Sequence, residues 1–203
     1  TLYGWRHIAR LQRDGQAIKA EACGVLHLAR DDAQATKMSK VVERLALPAE
    51  HLRCVDTTTA SELAGWPLPI GGWHFGDSGW VQPPSLCAAN LAHHADRIHG
   101  HFGHAVARLQ HDGETWQAID AKGGTIAQAP VMVLAAGTGV RELLPPGLLP
   151  VVSARGQVSI LPAAADSPPH LVVCRGGYVS PEVDGLRCAG ATFSGDDEDT
   201  GLR

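Results

Sequence analysis

At 203 residues, with 44% apolar residues and a mean hydropathy of −0.05, the chain is long enough to bury a core as one large or two small domains. A formal net charge of −4, from 17 basic and 21 acidic side chains, excludes a broad basic footprint for nucleic acid, and no run approaches the ~18 apolar residues of a membrane span. The five cysteines (Cys23, Cys54, Cys87, Cys174 and Cys188) are scattered, odd in number and lack a Cys-x-x-Cys pair, which reads as small buried hydrophobes in a reducing cytoplasm.

The segment Thr1–Arg6 has neither a start methionine nor a signal-peptide pattern, as expected of an excerpt from a longer chain. Residues 1–14 read as a helix stopped by Asp14-Gly15, and residues 20–29 as a strand. Asp31 or Asp32 can cap a helix running to Leu47, with Ala35, Met38, Val42 and Leu45 on one face and Pro48 beyond its end. Thr59-Ala60-Ser61-Glu62 fits a capping box for a short helix that Gly65 stops. Residues 66–75 are Pro- and Gly-rich and read as irregular chain with edge strands. Pro83-Pro84 suits a helix start, and the expected helix reaches Ile98 with Cys87, Leu91, Ala95 and Ile98 inward.

A strand is predicted over 102–109. Asp112-Gly113 and Gly123-Gly124 are turn signals, so a three-stranded meander is expected here. Val131–Ala136 is an unbroken apolar run of strand length, as in a buried parallel strand, and Ala135-Ala136-Gly137 at its end would let a ligand approach bare backbone. The tight packing of a helix on this strand is the alternative reason for such small residues. No Gly-x-Gly-x-x-Gly occurs: Gly137-Thr138-Gly139 has Glu142 at the third position. After Pro145-Pro146 the chain turns β-rich, with strands expected at 151–161, 171–174, 178–180 and 186–193.

Helix, meander and apolar strand in this order suit an α+β protein. The expected architecture is part of an FAD-binding α/β domain (81–144), flanked by two pieces (1–80 and 145–203) of an antiparallel-sheet substrate domain with helices on one face. Four stretches carry a specific likeness: Gly79-Trp80-Val81-Gln82-Pro83-Pro84-Ser85-Leu86-Cys87, Val131–Gly137, Arg155-Gly156-Gln157-Val158-Ser159 and Gly190-Ala191-Thr192. Together they resemble the D-amino-acid-oxidase-like FAD-dependent oxidoreductases across nearly the whole chain. With Gly177-Tyr178-Val179-Ser180-Pro181, the likeness runs to the FAD-dependent C-terminal halves of bifunctional tRNA-modifying members. In these, a carboxymethyl group is oxidatively removed from carboxymethylaminomethyl-uridine, and a methyltransferase domain in the same chain acts on the resulting amine. Simple amino-acid oxidases of the family often follow that proline with an arginine that clamps the substrate carboxylate. Here Glu182 follows Pro181.

The resemblance implies FAD contacts at Val106, Ala135, Ala136 and Gly137, and substrate contacts at Arg155, Gly156, Gln157 and Tyr178, with no catalytic side chain assigned. Arg155 can hold a substrate carboxylate or the flavin edge, or pair with a carboxylate at a domain interface. Gly156 can allow close approach to the ring or serve a bulge. FAD is expected in the whole protein and not in this segment alone, because the glycine turn that grips the pyrophosphate is missing. tRNA is the expected partner, the cytoplasm the expected location, and no membrane is involved. One alternative is a glycine- or D-amino-acid-type oxidase of a free small amine. Another is a non-catalytic tRNA-docking module using Arg6, Arg10, Arg13 and Lys19. The histidines at 93, 94, 99, 101 and 104 lack acidic or cysteine partners at ligand spacing, so no metal site is expected.

Overall fold

The computed structural model describes residues 2–203, which fold as two compact units. The first comprises the chain up to Asp96 together with Gly156–Thr192, and the second comprises Arg97–Arg155 with Phe193–Arg203. In chain order the first unit contains α1 (Leu2–Arg13), β1 (Ala20–Glu21), β2 (Val25–Leu28), α2 (Asp32–Leu45), β3 (Arg53–Val55), α3 (Thr57–Ala64), β4 (Gly72–Phe75), β5 (Trp80–Val81) and α4 (Pro83–His93). The second contains β6 (Arg108–His111), β7 (Trp116–Ile119), β8 (Thr125–Ala129), a 3-10 turn at Gly137–Gly139 and α5 (Val140–Leu143). Four strands follow: β9 (Ala154–Pro162), β10 (Val172–Cys174), β11 (Tyr178–Val179) and β12 (Leu186–Gly195).

Local chemistry sets the helix ends. The Asp31 carboxylate accepts from the Gln34 amide at 2.7 Å, and α2 stops where Ala46 turns left-handed at φ 48°, two residues before Pro48. The expected capping box at Thr59 lies inside α3. Asp56 is the true cap, accepting from the Thr59 amide at 2.8 Å, because a charged acceptor ahead of Thr57 starts the helix earlier. Gly65 closes α3 at φ 74°, as expected.

α4 ends at His93 rather than Ile98, its last turn tightening as the His94 amide reaches the carbonyls of Leu91 and Ala92. Its inward stripe also differs from the expected one. Ala89 is buried with Leu86, Asn90 and His93 half-buried, while Cys87, Leu91, Ala95 and Ile98 do not form the buried stripe, Cys87, Leu91 and Ile98 being exposed. The reason is polar: Asn90 meets His7 of α1 at 2.8 Å, so a hydrogen bond rather than the apolar positions sets the facing side.

The main sheet has seven strands in the order β3-β4-β2-β10-β11-β12-β9. Its pairings are antiparallel at β3–β4, β4–β2, β10–β11 and β11–β12. The β2–β10 pair is parallel, with Leu26 opposite Val173, the one parallel pairing among the described residues in the otherwise antiparallel sheet that was expected. No hairpin ties these two strands, so chain direction is unconstrained there. Leu26 and Leu28 alternate inward from β2, Leu171 and Val173 join them from the β10 region, and Ala60 and Ala64, four apart on α3, cover the cluster. Trp66, Leu68 and Ile70 of the Pro-rich stretch seal its rim. A short ribbon pairs β1 with β5, with Ala20 opposite Val81.

In the second unit β6, β7 and β8 form the expected meander. The Asp112 carboxylate accepts from the amides of Glu114 and Thr115 at the first turn, and that of Asp120 from Lys122 and Gly124 at the second. The strand expected over 102–109 is shorter, starting at Arg108. The larger correction is Val131–Ala136, which forms no strand: Val131 and Val133 are 76% and 83% exposed. The amides of residues 131–136 find no hydrogen-bond partner among the described residues. An apolar run becomes a strand only where a neighbour takes its backbone groups, and no described strand lies alongside.

Candidate cofactor and substrate site

Gly156 and Gln157 lie on β9 and Tyr178 on β11, within the same three-strand stretch of the sheet that β12 completes. Tyr178 is opposite Gly190. The Gln157 amide N–H donates to Thr192 Oγ1 at 3.1 Å, tying the Arg-Gly-Gln strand to the Gly-Ala-Thr strand. A methyl group at Gly156 would meet only the Thr192 carbonyl at 3.5 Å and the Ala191 methyl at 4.0 Å, which are ordinary contacts. Packing among the described residues therefore does not demand glycine here, and the strand leaves open space beside its backbone.

The Tyr178 hydroxyl lies 3.4 Å from Cys188 Sγ. That hydrogen bond, then burial and the neighbouring Cys188 and Cys174 thiols, hold the phenol in its neutral form, pushed up to about 12. Burial likewise raises the thiols of Cys23, Cys54 and Cys174, so none of them is primed as a thiolate nucleophile. Glu182 accepts from the Gly185 amide and so closes the turn between β11 and β12. Its carboxylate is bound to the backbone where an amino-acid oxidase often carries its clamp.

In the second unit, Arg155 Nε donates to the Asp199 carbonyl at 2.7 Å and its Nη2 to the Gly201 carbonyl. Arg203 in turn reaches Asp197 at 2.7 Å and Asp199 at 2.9 Å, so the acidic stretch is a turn held by ion pairs. Val106 precedes β6 in irregular chain, 36% exposed and outside any strand, so this part of the strand expected over 102–109 is not formed. Ala135, Ala136 and Gly137 follow β8 as exposed residues. Gly137 takes φ 55°, a turn conformation that accounts for that glycine by itself. Ala135 and Ala136 present unpartnered amides behind nothing larger than a methyl, which fits backbone contact with a phosphate-bearing or flat aromatic group. Sequence reasoning missed Cys188 as the partner of Tyr178. Its only signal is the strand register, which depends on the turn at Glu182–Gly185.

Among the described residues no three His, Cys, Asp or Glu side chains converge as a metal site, and no helix is long and apolar enough to cross a membrane. His93 instead faces Asp14 at 3.8 Å and stacks edge-on with His94 at 4.6 Å.

A family model described as FAD dependent oxidoreductase matches residues 1–202, and the chain belongs to that family. It is 63% identical over its full 203 residues to the tRNA 5-methylaminomethyl-2-thiouridine biosynthesis bifunctional protein of Azoarcus sp. (strain BH72), and 54% identical to that of Aromatoleum aromaticum, in each case covering 32% of the relative. The chain thus spans about a third of the length of these curated relatives. In fold it is similar to glycine oxidase from Geobacillus kaustophilus, with a TM-score of 0.78 at 20% identity over 96% of this chain and 54% of that one. Iminodiacetate oxidase from Chelativorans sp. BNC1 superposes with a TM-score of 0.76 at 20% identity over 98% of this chain and 56% of that one. The mixed-sheet α+β architecture is therefore that of the family.

Proposed function

We propose that this chain is part of an FAD-dependent oxidoreductase that removes the carboxymethyl group from carboxymethylaminomethyl-uridine in tRNA. The observation that carries this reading is Glu182. Its carboxylate is bonded to the Gly185 amide immediately after Pro181, so an acid stands where an amino-acid oxidase often carries its arginine, while Arg187 is held by the carbonyls of Ser180 and Ser167 and Lys19 by Asp184; the 63%-identical relative is named for tRNA modification. When bound, FAD would supply the acceptor for the two electrons and the hydrogen that leave the C–H beside the secondary amine. Water then hydrolyses the substrate imine, releasing the two-carbon fragment as an aldehyde and leaving the aminomethyl-uridine.

The chain's own contribution is positioning. Ala135, Ala136 and Gly137, with Val106, are the candidates for backbone contact with the cofactor. Gly156 and Gln157 are the candidates on β9 for substrate contact, with open space beside the Gly156 backbone, and Tyr178, kept neutral by Cys188, is a hydrogen-bond donor rather than a charge beside the substrate. Arg155 would act on substrate only after leaving the carbonyls of Asp199 and Gly201, so its proposed part is to order that segment. The full-length protein is proposed to join this module to a methyltransferase domain and to work in the cytoplasm.

The test is nucleoside mass spectrometry of tRNA incubated with the full-length FAD-loaded protein. Loss of the carboxymethyl group from the wobble uridine is the expected result. Rapid turnover of free glycine, sarcosine or D-amino acids with unchanged tRNA nucleosides would overturn the reading in favour of a small-amine oxidase.

A further inference from the structure

One helix face carries chemistry that the oxidation does not use. Tyr3, Arg6, Arg10 and Arg13 are all exposed on α1, opposite the buried Ile8 and Leu11. Steps of three and four residues stack these side chains in a single row. A rise of about 1.5 Å per residue sets successive arginines roughly 5–6 Å apart, close to the step between neighbouring phosphates of an RNA strand. The helix contains no Asp or Glu, so nothing on it neutralises the row.

Two contacts hold the row in place. The Arg6 guanidinium lies 5.7 Å from the centre of the Tyr3 ring. Arg10 Nη2 donates to His7 Nδ1 at 3.1 Å. That acceptor is set from α4: Asn90 donates its amide N–H to the Leu86 carbonyl at 2.9 Å, leaving Oδ1 to accept from His7 Nε2 at 2.8 Å. The His7 lone pair is therefore on Nδ1, facing Arg10. Asp14, just beyond the helix end, faces His93 at 3.8 Å, and Lys19 pairs with Asp184. Lys19, which the sequence groups with the three arginines, is thereby taken out of the cluster.

We infer that this face of α1 is the docking surface for the phosphate backbone of the tRNA substrate, with Tyr3 at one end available to stack on an unpaired base. The inference rests on the tRNA reading above. A local row of like charge in a chain of net charge −4 concentrates RNA contact at one place instead of spreading it over the molecule.

The test uses the full-length protein with R6Q, R10Q and R13Q combined, and a second variant with the same three positions changed to lysine. In the glutamine variant the KM for tRNA rises at least tenfold while kcat at saturating tRNA and the thermal melt stay unchanged. The slope of log affinity against log salt becomes shallower by about 0.7–0.9 for each phosphate that an arginine no longer neutralises. The lysine variant, which keeps the charge, recovers most of the affinity. A glutamine variant with unchanged KM and salt slope, on a wild-type protein that does convert tRNA, overturns the docking surface alone. That result would leave the row to a protein partner. A wild-type protein that leaves tRNA nucleosides untouched overturns the functional reading itself.

Discussion

Gly190 of β12 lies directly opposite Tyr178 of β11, and on its other side Val158 of β9 comes so close that a methyl group at Gly190 would sit 3.1 Å from the Val158 Cα and 2.7 Å from its Cγ1. The glycine of the Gly-Ala-Thr motif is therefore the point where three strands close up. Gly190→Ala is expected to push β9 away from β12 and destabilise the chain by about 1–3 kcal/mol, the usual range for overpacking. A thermal melt of the variant checks this, and an unchanged midpoint would show that β9 yields freely. The same methyl at Gly156 meets only ordinary contacts, so Gly156→Ala is expected to leave the melt unaltered.

The Tyr178–Cys188 contact has a titration signature. With the phenol pushed up to about 12, its hydrogen bond to Cys188 contributes stability that is fully present below pH 10 and is lost as pH rises toward 12, because the unfolded chain gives up that proton first. In Cys188→Ala the Tyr178 ionisation midpoint moves down toward 10. Phenolate absorbance against pH, compared between wild type, Cys188→Ala and Tyr178→Phe, reads the shift. A Tyr178 midpoint indifferent to Cys188 would refute the assignment.

At the other end of the pH scale, the Asp112 carboxyl is held at about 2 by the amides of Thr115 and Glu114 and by the Thr115 hydroxyl. A depressed carboxyl stabilises the hairpin above pH 3.8, and this contribution disappears as pH falls through about 2. Carboxyl-carbon NMR of Asp112 should show the low midpoint, and Asp112→Ala should broaden the β6–β7 turn resonances at neutral pH.

Leu26 is fully buried at the centre of the first unit, whereas Val133 is 83% exposed. Leu26→Ala is expected to cost about 3 kcal/mol in unfolding free energy, since it leaves a cavity beside Leu28 and Val173. Val133→Ala should change it by less than about 0.5 kcal/mol. Denaturant unfolding of both variants checks the contrast, and a large loss at Val133 would mean that the 131–136 segment is packed after all.

Arg155 donates two bonds to the backbone of the acidic turn. Arg155→Met is expected to speed hydrogen exchange of residues 196–203 by about tenfold, the equivalent of one charge-assisted hydrogen bond of about 1.5 kcal/mol. Unaltered exchange there would return Arg155 to the pool of substrate-binding candidates.

Turns, most helix ends and the meander were legible in the sequence because each rests on contacts within four or five residues, although the cap of α3 fell at Asp56 and not at Thr59. Asp31 ahead of α2 and the Asp112 and Asp120 turns depend on a carboxylate and amides close by in the chain, and Gly65 behind α3 on a positive φ that glycine takes freely. The inward face of α4 was not legible, because a polar pair with a residue 83 positions away, His7 to Asn90, decided it. The parallel β2–β10 pair escaped for the same reason, and Cys188 became the partner of Tyr178 only through the register of β11 on β12.

The 131–136 run shows the limit most clearly. By itself the sequence determined that this stretch is apolar, ends in small residues and exposes little but backbone at Ala135-Ala136-Gly137. Whether such a stretch is a strand depends on a neighbour for its amides, and that is a property of the assembled sheet. Composition and local chemistry thus set the elements and the family motifs. Tertiary structure alone decided which strands pair, which helix faces meet and which carbonyls Arg155 reaches, because hydrogen bonds between distant segments leave no periodic trace in the chain.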